Sequence, residues 1–216
     1  MGYFLRRLVS LVWGLFLFAL GIVLCVQANI GCAPWEVLHM GLSLKFGMTM
    51  GQISILVGAL ICLLVFLLQE KLGVGTLLNM LLIGAFMDLI FSLRIIPPME
   101  HLWIGIIVMV AGLLVIALGS YFYIDSGFGA GPRDGLMVSL RRRTNWPVGV
   151  CRALVEGTAL LLGYLLGGQV GVGTVIAVFG IGFCIQLVFT LLRFDPAAVK
   201  HETLAETWIH LVRPDQ

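Results

Sequence analysis

A chain of 216 residues in which 60% are apolar, 11% are charged and the mean hydropathy is +1.08 lies far outside the range of a soluble globular domain. The formal net charge of +2 offers no basic face for nucleic acid. Five cysteines without a Cys-x-x-Cys and four scattered histidines give no disulfide framework, metal site or cofactor signature, so none is expected.

The chain opens with Met1 to Arg7 followed by an apolar run, Leu8 to Val26. At about 19 residues the run is longer than a signal-peptide core and no small-x-small cleavage site follows, so it reads as a retained first span. Gly14 and Gly21, seven apart, fall on nearly one face and admit a second helix at close range. Next come Gly31, Pro34 and Glu36. Proline suits a first helical turn, and an acid two residues later complements the helix dipole. The segment Pro34 to Phe46 carries Glu36, His39 and Lys45, so it cannot cross roughly 30 Å of hydrocarbon and reads as a short interfacial or re-entrant helix. A second span covers Gly51 to Leu68. Gly73-Val74-Gly75-Thr76 leads into a third, Leu77 to Leu93, with Thr76 placed to cap it and Asn79 to reach back. Asp88 inside that span is costly in hydrocarbon and is a candidate proton- or cation-linked site. Pro97-Pro98 ends the first half.

The second half repeats this order. Leu102 to Ile124 is a span with Gly112 and Gly119; Gly129, Gly131, Pro132, Arg133 and Asp134 precede a short charged segment, Pro132 to Arg143. A span from about Val150 to Leu166 holds Arg152 and Glu156, spaced to pair on one helix. Gly171-Val172-Gly173-Thr174 starts the last span, Val172 to Leu192, and Val199, Leu204, Trp208, Leu211 and Val212 form the stripe of a short amphipathic tail helix.

The two Gly-Val-Gly-Thr copies lie 98 residues apart (171 − 73), and the same offset pairs Gly14, Gly21, Gly31, Pro34, Gly51, Gly84 and Pro98 with Gly112, Gly119, Gly129, Pro132, Gly149, Gly182 and Pro196. Apolar composition alone does not align glycines and prolines. The chain is expected to be a single all-α integral membrane domain: repeat 1 over 1–98, repeat 2 over 99–193, and a cytoplasmic tail over 194–216. Each repeat has three spans and one short helix after its first span. Three is odd, so the second repeat enters from the opposite face and the repeats are inverted, as in many secondary transporters. With the N-terminus inside, Arg6, Arg7, Lys71, Arg133, Arg141, Arg142, Arg143, Arg152, Arg193, Lys200 and Arg213 are cytoplasmic and only Lys45 and Arg94 are outside, an 11 to 2 split in the expected sense.

On Gly31, Pro34-Trp35, Gly131-Pro132-Arg133-Asp134-Gly135 and the two Gly-Val-Gly-Thr runs, the sequence resembles the YczE/YitT-like family of bacterial integral membrane proteins over about residues 8 to 193. The YitT branch usually continues into a soluble cytoplasmic domain, so the YczE branch is the closer match. The resemblance implies a multi-pass protein of the bacterial cytoplasmic membrane and supplies neither substrate nor catalytic residues.

These observations lead to a small carrier without enzymatic activity. Its solute or ion would meet Gly31, Pro34, Glu36, Gly75, Thr76, Asp88, Gly129, Gly131, Arg133, Asp134, Gly173 and Thr174 between the halves. Glu36 and Asp134 read equally as helix caps; in the sharper reading the glycine-rich lead-in to the second short helix exposes backbone N–H groups, an anion site to which Arg133 adds charge. The expected partners are the bilayer and a small solute; Gly163 and Gly167 form a close-packing face that serves equally within the bundle or against a second copy of the chain. The alternative is a scaffold that docks a cytoplasmic partner on Arg141-Arg142-Arg143 and the tail.

Overall fold

A computed structural model describes residues 2–70, 72–129, 131–199, 202, 203 and 206. Among these the chain is helical and contains no strand: α1 (Gly2–Gln27), α2 (Pro34–Phe46), α3 (Met50–Leu67), α4 (Val74–Leu93), α5 (Leu102–Asp125), α6 (Pro132–Thr144), α7 (Val148–Leu165) and α8 (Val172–Leu191). Six of them, α1, α3, α4, α5, α7 and α8, are long and apolar enough to cross a bilayer. α2 and α6 have 13 residues each, about 20 Å at 1.5 Å per residue, and fall short. Large apolar side chains stand fully outward on the long helices, among them Phe66, Leu161, Phe179 and Phe183. Such a surface is tolerable only against lipid.

The centre of the molecule is the crossing of α1 and α5, and the glycines decide it. A Cβ placed on Gly14 would lie 2.9 Å from the carbonyl oxygen of Gly119, and one on Gly119 would lie 2.7 Å from that of Gly14; Gly21 and Gly112 block each other in the same way at 2.6 and 2.8 Å. Any larger residue would force the helices apart. Leu11, Leu15, Ala19 and Val23 of α1 are sealed in the core beside this crossing with Met87 of α4 and Phe128.

Hydrogen bonds define the two ends of the bundle. At one end Gln27 donates to the carbonyl of Ile96 at 2.7 Å, Met99 N–H donates to Gln27 at 2.8 Å, and Gly173 N–H donates to Ile30 at 2.8 Å. At the other, Gly75 N–H donates to Phe128 at 2.7 Å, Arg7 donates to the carbonyl of Ser126 at 2.8 Å and pairs with Glu202 at 2.5 Å, and Arg142 pairs with Glu70 at 3.0 Å. The Gly75–Phe128 and Gly173–Ile30 bonds are the same bond moved by 98 residues in opposite senses. Backbone conformation recurs as well: left-handed φ occurs at Asn29 and Gly127, Gly31 and Gly129, Gly47 and Asn145, and Gln69 and Gly167, each pair at that offset.

One correspondence fails. α3 lies along α4, where Gly51 and Gly84 block each other, the carbonyl of Gly51 sitting 2.5 Å from where a Gly84 Cβ would be. Their counterparts Gly149 and Gly182 have nothing within 4 Å of an added Cβ. α7 packs on α2 and α8 on α5, with no extended contact between α7 and α8.

Several local expectations change. α4 starts at Val74, three residues earlier than Leu77, because Gly73 is itself extended (φ −104°, ψ 165°) and is the N-cap. Thr76 and Thr174 therefore sit a turn inside their helices and are not caps; their hydroxyls accept the N–H of Gly73 and Gly171 at 3.1 Å. Asn79 does not reach back to a cap but lines the central cavity. After α8 a single 3-10 turn, Pro196–Ala198, is described, and Leu204, Trp208, Leu211 and Val212 of the expected tail helix lie outside the described residues. Gly163 packs within the chain, where its Cβ would run into Val37 and Leu38 of α2.

Candidate functional site

The two short helices point their first turns toward the same interior space. Each begins with proline, Pro34 or Pro132, after an extended residue, Ala33 or Gly131. Proline pre-sets the first turn and gives up an N–H that would have no helical partner there. The next residues are Trp35 in α2 and Arg133 in α6, positions matched by the repeat offset. They meet face to face, with the guanidinium carbon 4.8 Å from the indole ring centre.

Arg133 also turns to the residue after Trp35. Its Nη1 lies 3.6 Å from Oε1 of Glu36, a carboxylate whose side chain is only 7% exposed. Burial pushes the Glu36 carboxyl above its ordinary range, and the nearby Arg133 charge pulls it back. One turn further, His39 is 1% exposed and its Nδ1 has no hydrogen-bond partner. Burial and the nearby Arg133 charge hold His39 well below its ordinary value, so the imidazole is neutral at physiological pH. On α7, Arg152 donates through Nε to Glu156 at 2.8 Å, the pair expected from their spacing.

These groups line a cavity of about 330 Å³. Asp134, Asn79, Ser54 and Ser120 add polar groups, and most of the remaining wall is apolar. Tyr123 stands at the α6 side, its hydroxyl donating to the carbonyl of Gly129 at 2.9 Å. Among the described residues no three His, Cys, Asp or Glu side chains gather as a metal site.

Of the residues singled out from sequence, Pro34, Glu36, Gly131, Arg133 and Asp134 line this cavity. Gly31, Gly173 and Thr174 do not; they form the close contact between the chain before α2 and the start of α8. Gly75, Thr76 and Gly129 form the corresponding contact between α4 and the chain before α6. Asp88 is placed elsewhere again. Its carboxylate accepts from Thr49 Oγ1 at 2.5 Å and from the N–H of Gly51 at 2.9 Å, so from α4 it reinforces the cap that Thr49 makes with Gln52 at the N-terminus of α3. Sequence reasoning passed over Trp35, His39, Ser54 and Ser120, and read Arg152 with Glu156 only as an ion pair. The Glu36–His39 spacing, three residues apart in a helix too short to span, was the available signal, since it puts both side chains on one face.

A family model described as a family of unknown function, DUF6198, matches residues 5–190. The uncharacterized membrane protein YczE of Bacillus subtilis is 37% identical over 197 residues, covering 87% of this chain and 91% of its own. An uncharacterized protein of Haemophilus influenzae is 34% identical over 186 residues, covering 86% and 84%. YyaS of Bacillus subtilis is 29% identical over 168 residues, covering 76% and 83%. No solved structure matches.

Proposed function

The chain belongs to the DUF6198 family and is related to a membrane protein, and from that premise we propose that it is a small carrier, not an enzyme, that moves a solute through a site between two inverted three-helix repeats. The observation that carries the reading is the meeting of Glu36 and Arg133. A buried acid and a base on two helices that cannot span face one cavity inside a membrane protein. Charge buried inside such a protein is costly and is found where ions or solutes pass. The exchanged bonds Gly75–Phe128 and Gly173–Ile30 and the matched left-handed residues support a two-fold relation between the halves. In this reading α2 and α6 are the discontinuous elements of the two repeats. Arg7 and Arg142 share the bundle end that we assign to the cytoplasm of a bacterial cell, with both termini there.

The scaffold alternative needs Arg141-Arg142-Arg143 as a docking surface. Arg142 pairs with Glu70 and Arg143 donates to the carbonyl of Leu68 at 3.4 Å, so two of the three are used at the end of α3. The carrier reading is tested in proteoliposomes with a panel of radiolabelled anions, cations and neutral metabolites. A solute taken up with the wild type and not with Arg133→Ala, at equal inserted protein, is the expected result. Uptake of no solute by a folded wild type would end it.

A further inference from the structure

The charges in the cavity are not equally accessible. In the Arg133–Glu36 pair the arginine side chain is 32% exposed and the glutamate 7%; in the Arg152–Glu156 pair the values are 48% and 24%. In each pair the guanidinium is the more accessible partner. All four side chains line the same cavity. Arg133 comes no closer to Glu36 than 3.6 Å, through Nη1, and Arg152 donates to Glu156 through Nε at 2.8 Å, so neither makes the short two-pronged contact of a guanidinium fork. The guanidinium N–H donors are therefore the charged groups most available to a molecule in the cavity.

Three further features narrow the class. His39, 1% exposed and lining the cavity, keeps an Nδ1 without a partner, and such an atom is costly unless something completes its hydrogen bond. Asp134 also lines the cavity, so three carboxyl groups stand beside the two guanidiniums and a multiply charged anion is disfavoured. Val57, Ile83, Leu113, Ile181, Ile185 and Phe189 make the rest of the wall apolar. A volume of about 330 Å³ is at the small end of ligand pockets.

We propose that this cavity binds a small organic monoanion, its carboxylate held by Arg133 and Arg152 and hydrogen-bonded near His39, its apolar body against α8. The inference deepens the carrier reading and rests on it for the site, but binding is measured apart from transport. The probe is 3-phenylpropionate, with 3-phenylpropylammonium and 3-phenylpropanamide as the cation and the neutral molecule of the same shape. Each is titrated calorimetrically into the full-length protein in lipid nanodiscs. The propionate is expected to bind at least tenfold more tightly than the other two, and Arg133→Gln and Arg152→Gln each to weaken it at least tenfold. Lys45→Gln, far from the cavity on the exposed end of α2, is expected to change nothing. Should an arginine variant fail to fold, Glu36→Gln gives an independent test with the opposite sign: it frees Arg133 and tightens anion binding. Equal or tighter binding of the ammonium compound overturns the proposal, as does anion affinity unchanged in Arg133→Gln and Arg152→Gln. Anion binding without uptake into liposomes would instead remove the carrier reading and leave the site; uptake of cations alone would do the reverse.

Discussion

Asp88 shows how differently a residue reads in one dimension and in three. A lone carboxylate in an apolar run signals function, because hydrocarbon penalises it. Folded, it is 39 residues from Thr49 in sequence and 2.5 Å from its hydroxyl, completing a cap with Gly51 N–H at the start of α3. Loss of an N-terminal cap costs between about 0.5 and 2 kcal/mol. Asp88→Ala is therefore expected to lower the thermal midpoint in detergent while solute uptake persists, and Asp88→Asn, which keeps one acceptor, to lower it less. Loss of uptake with an unchanged midpoint would return Asp88 to the transport path. Glu36, Arg133 and Asp134 were legible because each interrupts or flanks a glycine-proline element that occurs twice. His39 was not, since in sequence it is one histidine in a short mixed-polarity segment; only the burial of that segment against α7 makes its unpaired nitrogen informative.

At the level of elements, glycine spacing was the most dependable signal. Seven-residue pairs in the first span of each half predicted close approach, and the α1–α5 crossing places Gly14 on Gly119 and Gly21 on Gly112. Gly21→Leu must push a side chain into the α5 backbone, and overpacking of this kind costs about 1 to 3 kcal/mol at least. Gly157, on the outer face of α7 with nothing within 4 Å, gives the contrast. Gly157→Ala is expected to leave the fold unchanged or stabilise it by about 0.5 to 1 kcal/mol through helix propensity. Thermal unfolding of the two variants in the same detergent checks both signs. Helix starts were less legible. The Gly-Val-Gly-Thr runs looked like capped turns ending at threonine, whereas the extended Gly73 and Gly171 take the cap position and draw the valines and threonines into the helix.

Across the whole molecule, the 98-residue offset is visible in sequence, but the place where the halves differ is not, because both carry the same glycines. Gly51 and Gly84 are in contact; Gly149 and Gly182 face empty space. α7 and α8 therefore lack the glycine contact that holds α3 to α4, and the counterparts of Thr49 and Asp88 at that seam are Pro147 and Gln186, which make no such cap. In a chain freed of its five native cysteines, Thr49→Cys with Asp88→Cys is expected to cross-link under oxidant in most molecules, and Pro147→Cys with Gln186→Cys in few or none. One half of the bundle is thus fastened along this seam and the other is not.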